Sequence, residues 1–220
     1  MWLSEYNPWK YNPLAKQFGT KRVGSADCYS IGEMNLHSFD EHADVLAKTR
    51  AACVGELERL IAKVSECLAA GGKIMFLGNG GSASDAQHLS TELAVRFVRV
   101  RRALAALALG TNIAELTACA NDFGFERVFS RQIEALGRPG DVLIALSTSG
   151  KSPNVVAAVR TAKELGIFTV AFTGESGGEL MGLSDLLIAV PSTTTARIQE
   201  MHALLGHIMC EGIETQLGIG

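Results

Sequence analysis

Between residues 38 and 70 apolar side chains return at helical spacing, at Val45, Leu46, Leu57, Leu60, Ile61, Val64 and Leu68, and Gly71-Gly72 ends the run. The pattern predicts one long helix or two abutting ones. Beyond it the rhythm changes to short unbroken apolar runs at 74–77, 104–109, 142–146, 168–172 and 186–190. Runs of that length without alternation are the mark of strands buried on both faces. The stretches between them are mostly long enough for crossover helices, and a final helix is expected over 196–217. Strand–helix alternation of this kind predicts an α/β fold in three layers: a five-stranded parallel sheet flanked by helices, preceded by an N-terminal helical segment.

Both tryptophans (Trp2, Trp9) and all three tyrosines (Tyr6, Tyr11, Tyr29) precede residue 30, and Tyr-Asn-Pro triplets start at Tyr6 and Tyr11. Asn-Pro favours turns over helix. Residues 1–34 therefore read as a leader, an arm or subunit-contact segment, and residues 35–220 as a single domain. A length of 220 residues suits one domain with an appendage, and 47% hydrophobic residues suffice for one sizeable core. The formal charge of −3 rules out bulk attraction to a nucleic acid or an anionic membrane, so an anionic ligand must be captured locally. No window reaches the roughly eighteen apolar residues of a membrane span, and the N-terminus lacks a signal peptide's apolar stretch; a cytoplasmic protein is expected. The five cysteines (Cys28, Cys53, Cys67, Cys119, Cys210) contain no C-x-x-C and are expected as reduced thiols.

In a parallel sheet, ligands gather beyond the carboxyl ends of the strands. The first strand runs into Gly78-Asn79-Gly80-Gly81-Ser82-Ala83-Ser84-Asp85, with a helix expected from about Ala86. Glycines admit a ligand close to the backbone, and free amides at a helix start favour anionic or hydroxyl-bearing groups. The loop also fits the dinucleotide fingerprint, but the second strand ends in Leu109-Gly110-Thr111-Asn112 without the acidic residue that grips a ribose. The third strand ends in Ser147-Thr148-Ser149-Gly150-Lys151-Ser152-Pro153. Ser152 suits an N-cap and Pro153 the first helical position, so hydroxyls and free amides converge at a positive helix end, an arrangement suited to phosphate. Lys151 lacks the spacing of a Walker lysine. His88 and Glu92, four apart, share one face of the helix after the glycine loop, expected near its N-terminus.

These loops, with Thr117-Ala118-Cys119-Ala120-Asn121-Asp122 and Ala196-Arg197-Ile198-Gln199-Glu200-Met201-His202, closely resemble the phosphoheptose isomerases of the sugar isomerase (SIS) domain family, from about residue 38 to the C-terminus. The resemblance implies isomerisation of sedoheptulose 7-phosphate to D-glycero-D-manno-heptose 7-phosphate, an early step toward heptose-bearing surface polysaccharide. It implies Glu92 and His207 as the catalytic pair and Ser147, Thr148, Ser149 and Ser152 as the phosphate grip. Asn79, Gly80, Gly81, Ser82, Glu92, Asn121, Asp122 and Gln199 would contact the sugar. It further implies zinc bound through His88, Glu92, Gln199 and His207, and a homotetramer. Gln199 and His207 are eight apart in one helix, a separation of about 12 Å along its axis. An active site at a subunit interface is therefore expected.

Two alternatives stand beside this reading. A non-enzymatic relative that associates with the replication initiator shares the fold, but as a type it lacks the equivalents of Glu92 and His207, which this sequence retains. An isomerase or binding domain for another sugar phosphate is the other. The basic run Arg96, Arg99, Arg101, Arg102 reads as a solvated edge or subunit contact rather than a nucleic-acid surface.

Overall fold

The computed structural model describes residues 31–219. The leader expected over 1–34 lies, up to residue 30, outside the described residues, as does Cys28. Contacts divide the chain into Met1–Ser38 and Phe39–Gly220, the second unit carrying the layered fold.

The first helix, α1 (Ile31–Ala69), is one continuous element that starts earlier than its apolar repeat. No proline lies between Pro13 and Pro139 to stop it. Val45, Leu57, Leu60, Val64 and Leu68 form its buried stripe, whereas Leu46 faces outward. The sheet comprises β1 (Ile74–Gly78), β2 (Ala106–Ala108), β3 (Val142–Leu146), β4 (Phe168–Gly174) and β5 (Leu186–Val190), all parallel, in the order β2-β1-β3-β4-β5. The other helices are α2 (Gly81–Ala94), α3 (Ile113–Phe123), α4 (Ser130–Leu136), α5 (Pro153–Glu164) and α6 (Thr195–Gln216).

Alternate strand residues feed two cores. Ile74, Phe76, Ile144, Phe172 and Ile188 pack with α1, α2 and α6; Met75, Leu77, Leu143 and Ala171 pack with α4 and α5. Period-2 alternation within unbroken apolar strands thus makes three layers, as the pattern predicts. The expected strand over 104–109 is cut to three residues. β2 is an edge with β1 as its neighbour; before it, the Leu104 amide turns to the Leu93 carbonyl at the end of α2.

Two helix starts place the site. The helix after β1 begins at Gly81 rather than near Ala86, because Gly80 at φ 57°, ψ −122° turns the chain from strand into helix within one residue. α5 begins as expected, with Ser152 at the N-cap and Pro153 opening the helix, although the Ser152 hydroxyl makes no capping bond. The chain leaves β1 toward β2 on one side and β3 toward β4 on the other, so the sheet changes direction between β1 and β3. That is the position at which α/β sheets open a ligand crevice.

Candidate functional site

The loops after β1 and β3 meet at that crevice. Asn79 and Asn154 exchange two amide hydrogen bonds of 2.9 Å, and the buried Asn154 also accepts the Val155 amide at 3.0 Å. Expected at the sugar, the Asn79 amide is thus largely committed to the start of α5. Ser82 is buried in the first turn of α2, its amide bonded to the Asn79 carbonyl at 3.1 Å. Gly80 and Gly81 lie exposed beside it.

A cavity of about 220 Å³ opens beyond the ends of β3, β4 and β5, with Thr148, Ser149 and Lys151 on one wall and Ser192, Thr193 and Thr195 on the other. Ser147 lies beneath, buried, its Oγ without a protein partner. The Lys151 amide donates to Ser149 Oγ at 3.2 Å, tightening the turn. α6 starts at this cavity and α5 just after its first wall, so two positive helix ends serve one hydroxyl-lined space. The contribution of Ser192, Thr193 and Thr195 was missed from sequence. Its signal was present, since four hydroxyl residues in a row, Ser192 to Thr195, leading from β5 into the first residue of α6, repeat the logic of the β3 loop.

α2 and α6 run side by side in the same direction. Gly81 faces Gln199 closely enough that an added Cβ would stand 2.6 Å from its amide nitrogen, and Gly206 faces Leu89 in the same way. This register brings His88 Nε2 to 2.8 Å from His207 Nε2 and 3.5 Å from Glu92 Oε1. In this bond one imidazole donates and the other accepts. The Phe97 ring stacks on His207 at 5.5 Å and 23°. His88 is half exposed and Glu92 about one-fifth exposed, so the cluster opens to solvent.

This pair was expected near the start of its helix. With α2 beginning at Gly81, His88 lies mid-helix and Glu92 in the last turn, where a carboxylate gains nothing from the helix dipole. The negative end is instead met by Arg101, which donates to the Glu92 carbonyl at 2.8 Å and the Leu93 carbonyl at 2.9 Å. The Arg101 side chain is fully buried and paired with Glu214 at 2.8 Å. The reading of the basic run as a solvated edge or subunit contact suits Arg96, Arg99 and Arg102, which are exposed, and is corrected at Arg101, whose side chain is an interior cap.

Asn121 and Asp122 stand apart on α3. They bond to each other at 2.8 Å, and Asp122 lines a separate cavity of about 290 Å³ between α3 and α4. α3 buries none of its residues, with Ile113 and Phe123 exposed.

The metal-binding expectation meets mixed conditions. Imidazole nitrogens, a carboxylate and an amide oxygen suit zinc in kind. His88, Glu92 and His207 gather, but Gln199 lies against Gly81, about 12 Å back along α6. Among the described residues no group of three or more His, Cys, Asp or Glu forms an ion-holding set. Cys53, Cys67 and Cys210 are buried free thiols, Cys119 is half-buried, and burial pushes the Cys210 thiol up to about 12. None of the described helices is long and apolar enough to cross a membrane.

Residues 37–174 match the SIS domain family. A phosphoheptose isomerase from Paramagnetospirillum magneticum is 57% identical over 174 residues, covering 79% of this chain and 91% of that protein. One from Akkermansia muciniphila is 49% identical over 170 residues, covering 77% and 90%. The solved structure of the phosphoheptose isomerase from Neisseria gonorrhoeae matches with a TM-score of 0.81 at 41% identity, covering 84% of this chain and 100% of that one. The structure of the enzyme from Francisella tularensis gives 0.83 at 34% identity, covering 85% and 100%.

Proposed function

We propose that this chain, which belongs to the phosphoheptose isomerases of the SIS domain family, interconverts sedoheptulose 7-phosphate and D-glycero-D-manno-heptose 7-phosphate through an enediol. The observation that carries the reading is the meeting of Glu92, His88 and His207 between α2 and α6. Moving a hydrogen between C1 and C2 requires a base that lifts and returns a carbon-bound proton, and a partner that moves the hydroxyl protons. Glu92 removes the C1 proton of the ketose and delivers it to C2. His207 protonates O2 and takes the proton from O1, and His88, bonded to His207, fixes which ring nitrogen is free to do so. The phosphate is held by Ser147, Thr148, Ser149 and Ser152 at the start of α5. An unpaired buried hydroxyl such as that of Ser147 costs about 1–3 kcal/mol, and a phosphate oxygen relieves it. Asn79, Gly80, Gly81, Ser82 and Gln199 border the sugar, with Asn121 and Asp122 assigned to it by resemblance alone.

His88, Glu92 and His207, with a Gln199 supplied by a neighbouring copy, would hold a zinc ion in place of the His88–His207 hydrogen bond, and when bound it would supply Lewis-acid polarisation of the sugar oxygens. The working assembly is a homotetramer with each site completed by a neighbouring copy. In support, Leu204 and Ile208 flank His207 on α6, and Val95, Val98 and Val100 lie exposed after α2. A second copy would cover this rim and exclude water from the enediol. The free thiols suit a reducing cytoplasm, and the product serves surface-polysaccharide assembly.

The test is proton exchange at C1 in deuterated water, followed by NMR, with metal content measured on the same sample. Glu92→Gln should reduce exchange by about 100-fold or more while leaving the fold intact. Substantial exchange remaining in this variant removes Glu92 as the base. Shorter ketose phosphates run in parallel test the seven-carbon preference.

A further inference from the structure

We infer that the segment from Val95 to Arg101 is a positioning device for the acid–base pair, in which Glu214 and Arg101 clamp the chain between the ends of α2 and α6 and so press Phe97 onto the His207 ring. The inference rests on the reading of Glu92 and His207 as that pair.

The clamp is specific in its bonding. The Glu214 carboxylate, 1% exposed, accepts the amide of Phe97 at 3.1 Å, of Val98 at 3.2 Å and of Arg99 at 3.0 Å, and it pairs with Arg101. Three consecutive amides converging on one buried carboxylate fix the path of the backbone at Phe97. The guanidinium that neutralises this carboxylate spends its other donors on the Glu92 and Leu93 carbonyls and on the Arg102 carbonyl. One ion pair therefore sets both the turn of α2 that bears Glu92 and the loop that bears Phe97. A surface loop held for stability alone needs neither link.

Its effect falls on His207. An imidazole turns broadly about its Cβ–Cγ bond, and the His88 bond at 2.8 Å fixes one edge of the His207 ring. The stacked Phe97 ring, 23° from parallel, defines the plane. Together they aim the remaining edge. Phe97 touches the His207 ring, Arg101 holds the Glu92 backbone carbonyl and Glu214 acts through both, and none of the three lines the hydroxyl-lined cavity, so they act on turnover and not on phosphate capture. They are positioning residues.

Phe97→Leu, Phe97→Tyr and His207→Asn should be compared in the full-length protein for kcat, KM and melting temperature, together with NMR of the protein labelled with 13C-histidine. Phe97→Leu is expected to lower kcat about tenfold or more with KM within about twofold, to lower the melting temperature by only a few degrees, since Phe97 also packs against the core, and to move the His207 ring protons downfield as the stacked ring's shielding is lost. Phe97→Tyr restores kcat to within about twofold. Should Phe97→Leu not fold, Phe97→Met carries the same expectation. If Phe97→Leu keeps its kcat while His207→Asn is inactive, the positioning role is overturned and the acid–base reading stands. If Phe97→Tyr fails to restore the loss, the stack is not its cause and the inference falls. If His207→Asn retains full turnover, both fall together.

Discussion

His202 lies on α6 with no exposed surface, its ring edge-on to Phe172 and its Nε2 donating to the Thr173 carbonyl at 3.2 Å. Burial pushes its pKa down to about 4, and Nδ1 is left without a partner. The unfolded chain takes up this proton below about pH 6.5, whereas the folded chain holds off until about 4. The stabilisation is therefore complete above the unfolded value and is lost as pH falls through that window; going from pH 7 to 5 should cost about 2 kcal/mol. His202→Gln keeps a donor for Thr173 and removes the titration. Urea midpoints at the two pH values should show a smaller acid loss in the variant than in the parent, and equal losses would assign the proton elsewhere. At this scale the sequence is an uneven guide. Glu92 and His207 come forward through the resemblance of their motifs, and the serines after β3 through their place at a strand end and a helix start. Phe97 and Glu214 are not, because an aromatic in a loop and a glutamate in a helix acquire a role only when folding brings residues over a hundred positions apart into contact.

Elements were legible where one physical signal dominated. β1, β3, β4 and β5 lie where unbroken apolar runs place them, and α6 begins within one residue of its expected start. The start of α2 was misplaced by five residues because Gly81, Ser82 and Ser84 have loop-like preferences, while the decisive fact is the dihedral pair at Gly80. That misplacement put His88 and Glu92 near the start of a helix in which they stand midway and in the last turn. The two neighbouring glycines should respond differently to alanine. At Gly80 a Cβ would meet nothing within 4 Å, so the penalty is wholly backbone strain, about 1–3 kcal/mol, read as a lower urea midpoint. At Gly81 the backbone is helical, and the Cβ would displace the end of the Gln199 side chain. Gly81→Ala should therefore keep its stability and raise KM. A KM unchanged by Gly81→Ala would separate Gln199 from the sugar.

Over the whole molecule, the hydroxyl-lined cavity proposed as the phosphate grip and the His88–Glu92–His207 cluster proposed as the acid–base centre stand at different depths. The cavity takes its wall from Thr195 and Ile198, while His207 lies nine residues beyond Ile198, about 13 Å down α6. Along α2, His88 is seven residues past Gly81, or about 10 Å. The cluster also opens outward through a half-exposed histidine with apolar residues around it. A site assembled from the grip of one copy and the cluster of its neighbour reconciles these facts, and it makes a prediction that a self-contained site does not. Ser149→Asp places a negative charge where phosphate binds, and Glu92→Gln removes the base; each variant alone should be nearly inactive. Mixed by co-expression in equal amounts, random assembly gives one site in four an intact grip and an intact base, so about a quarter of the parental activity should return if the two parts come from different copies. If both parts belong to the same chain, every chain carries one defect and no activity returns. Each variant carries a different affinity tag, and purification through both tags in turn must yield mixed oligomers for the comparison to be valid. Recovery in that setting assigns the grip and the base to neighbouring copies, and none assigns them to one chain.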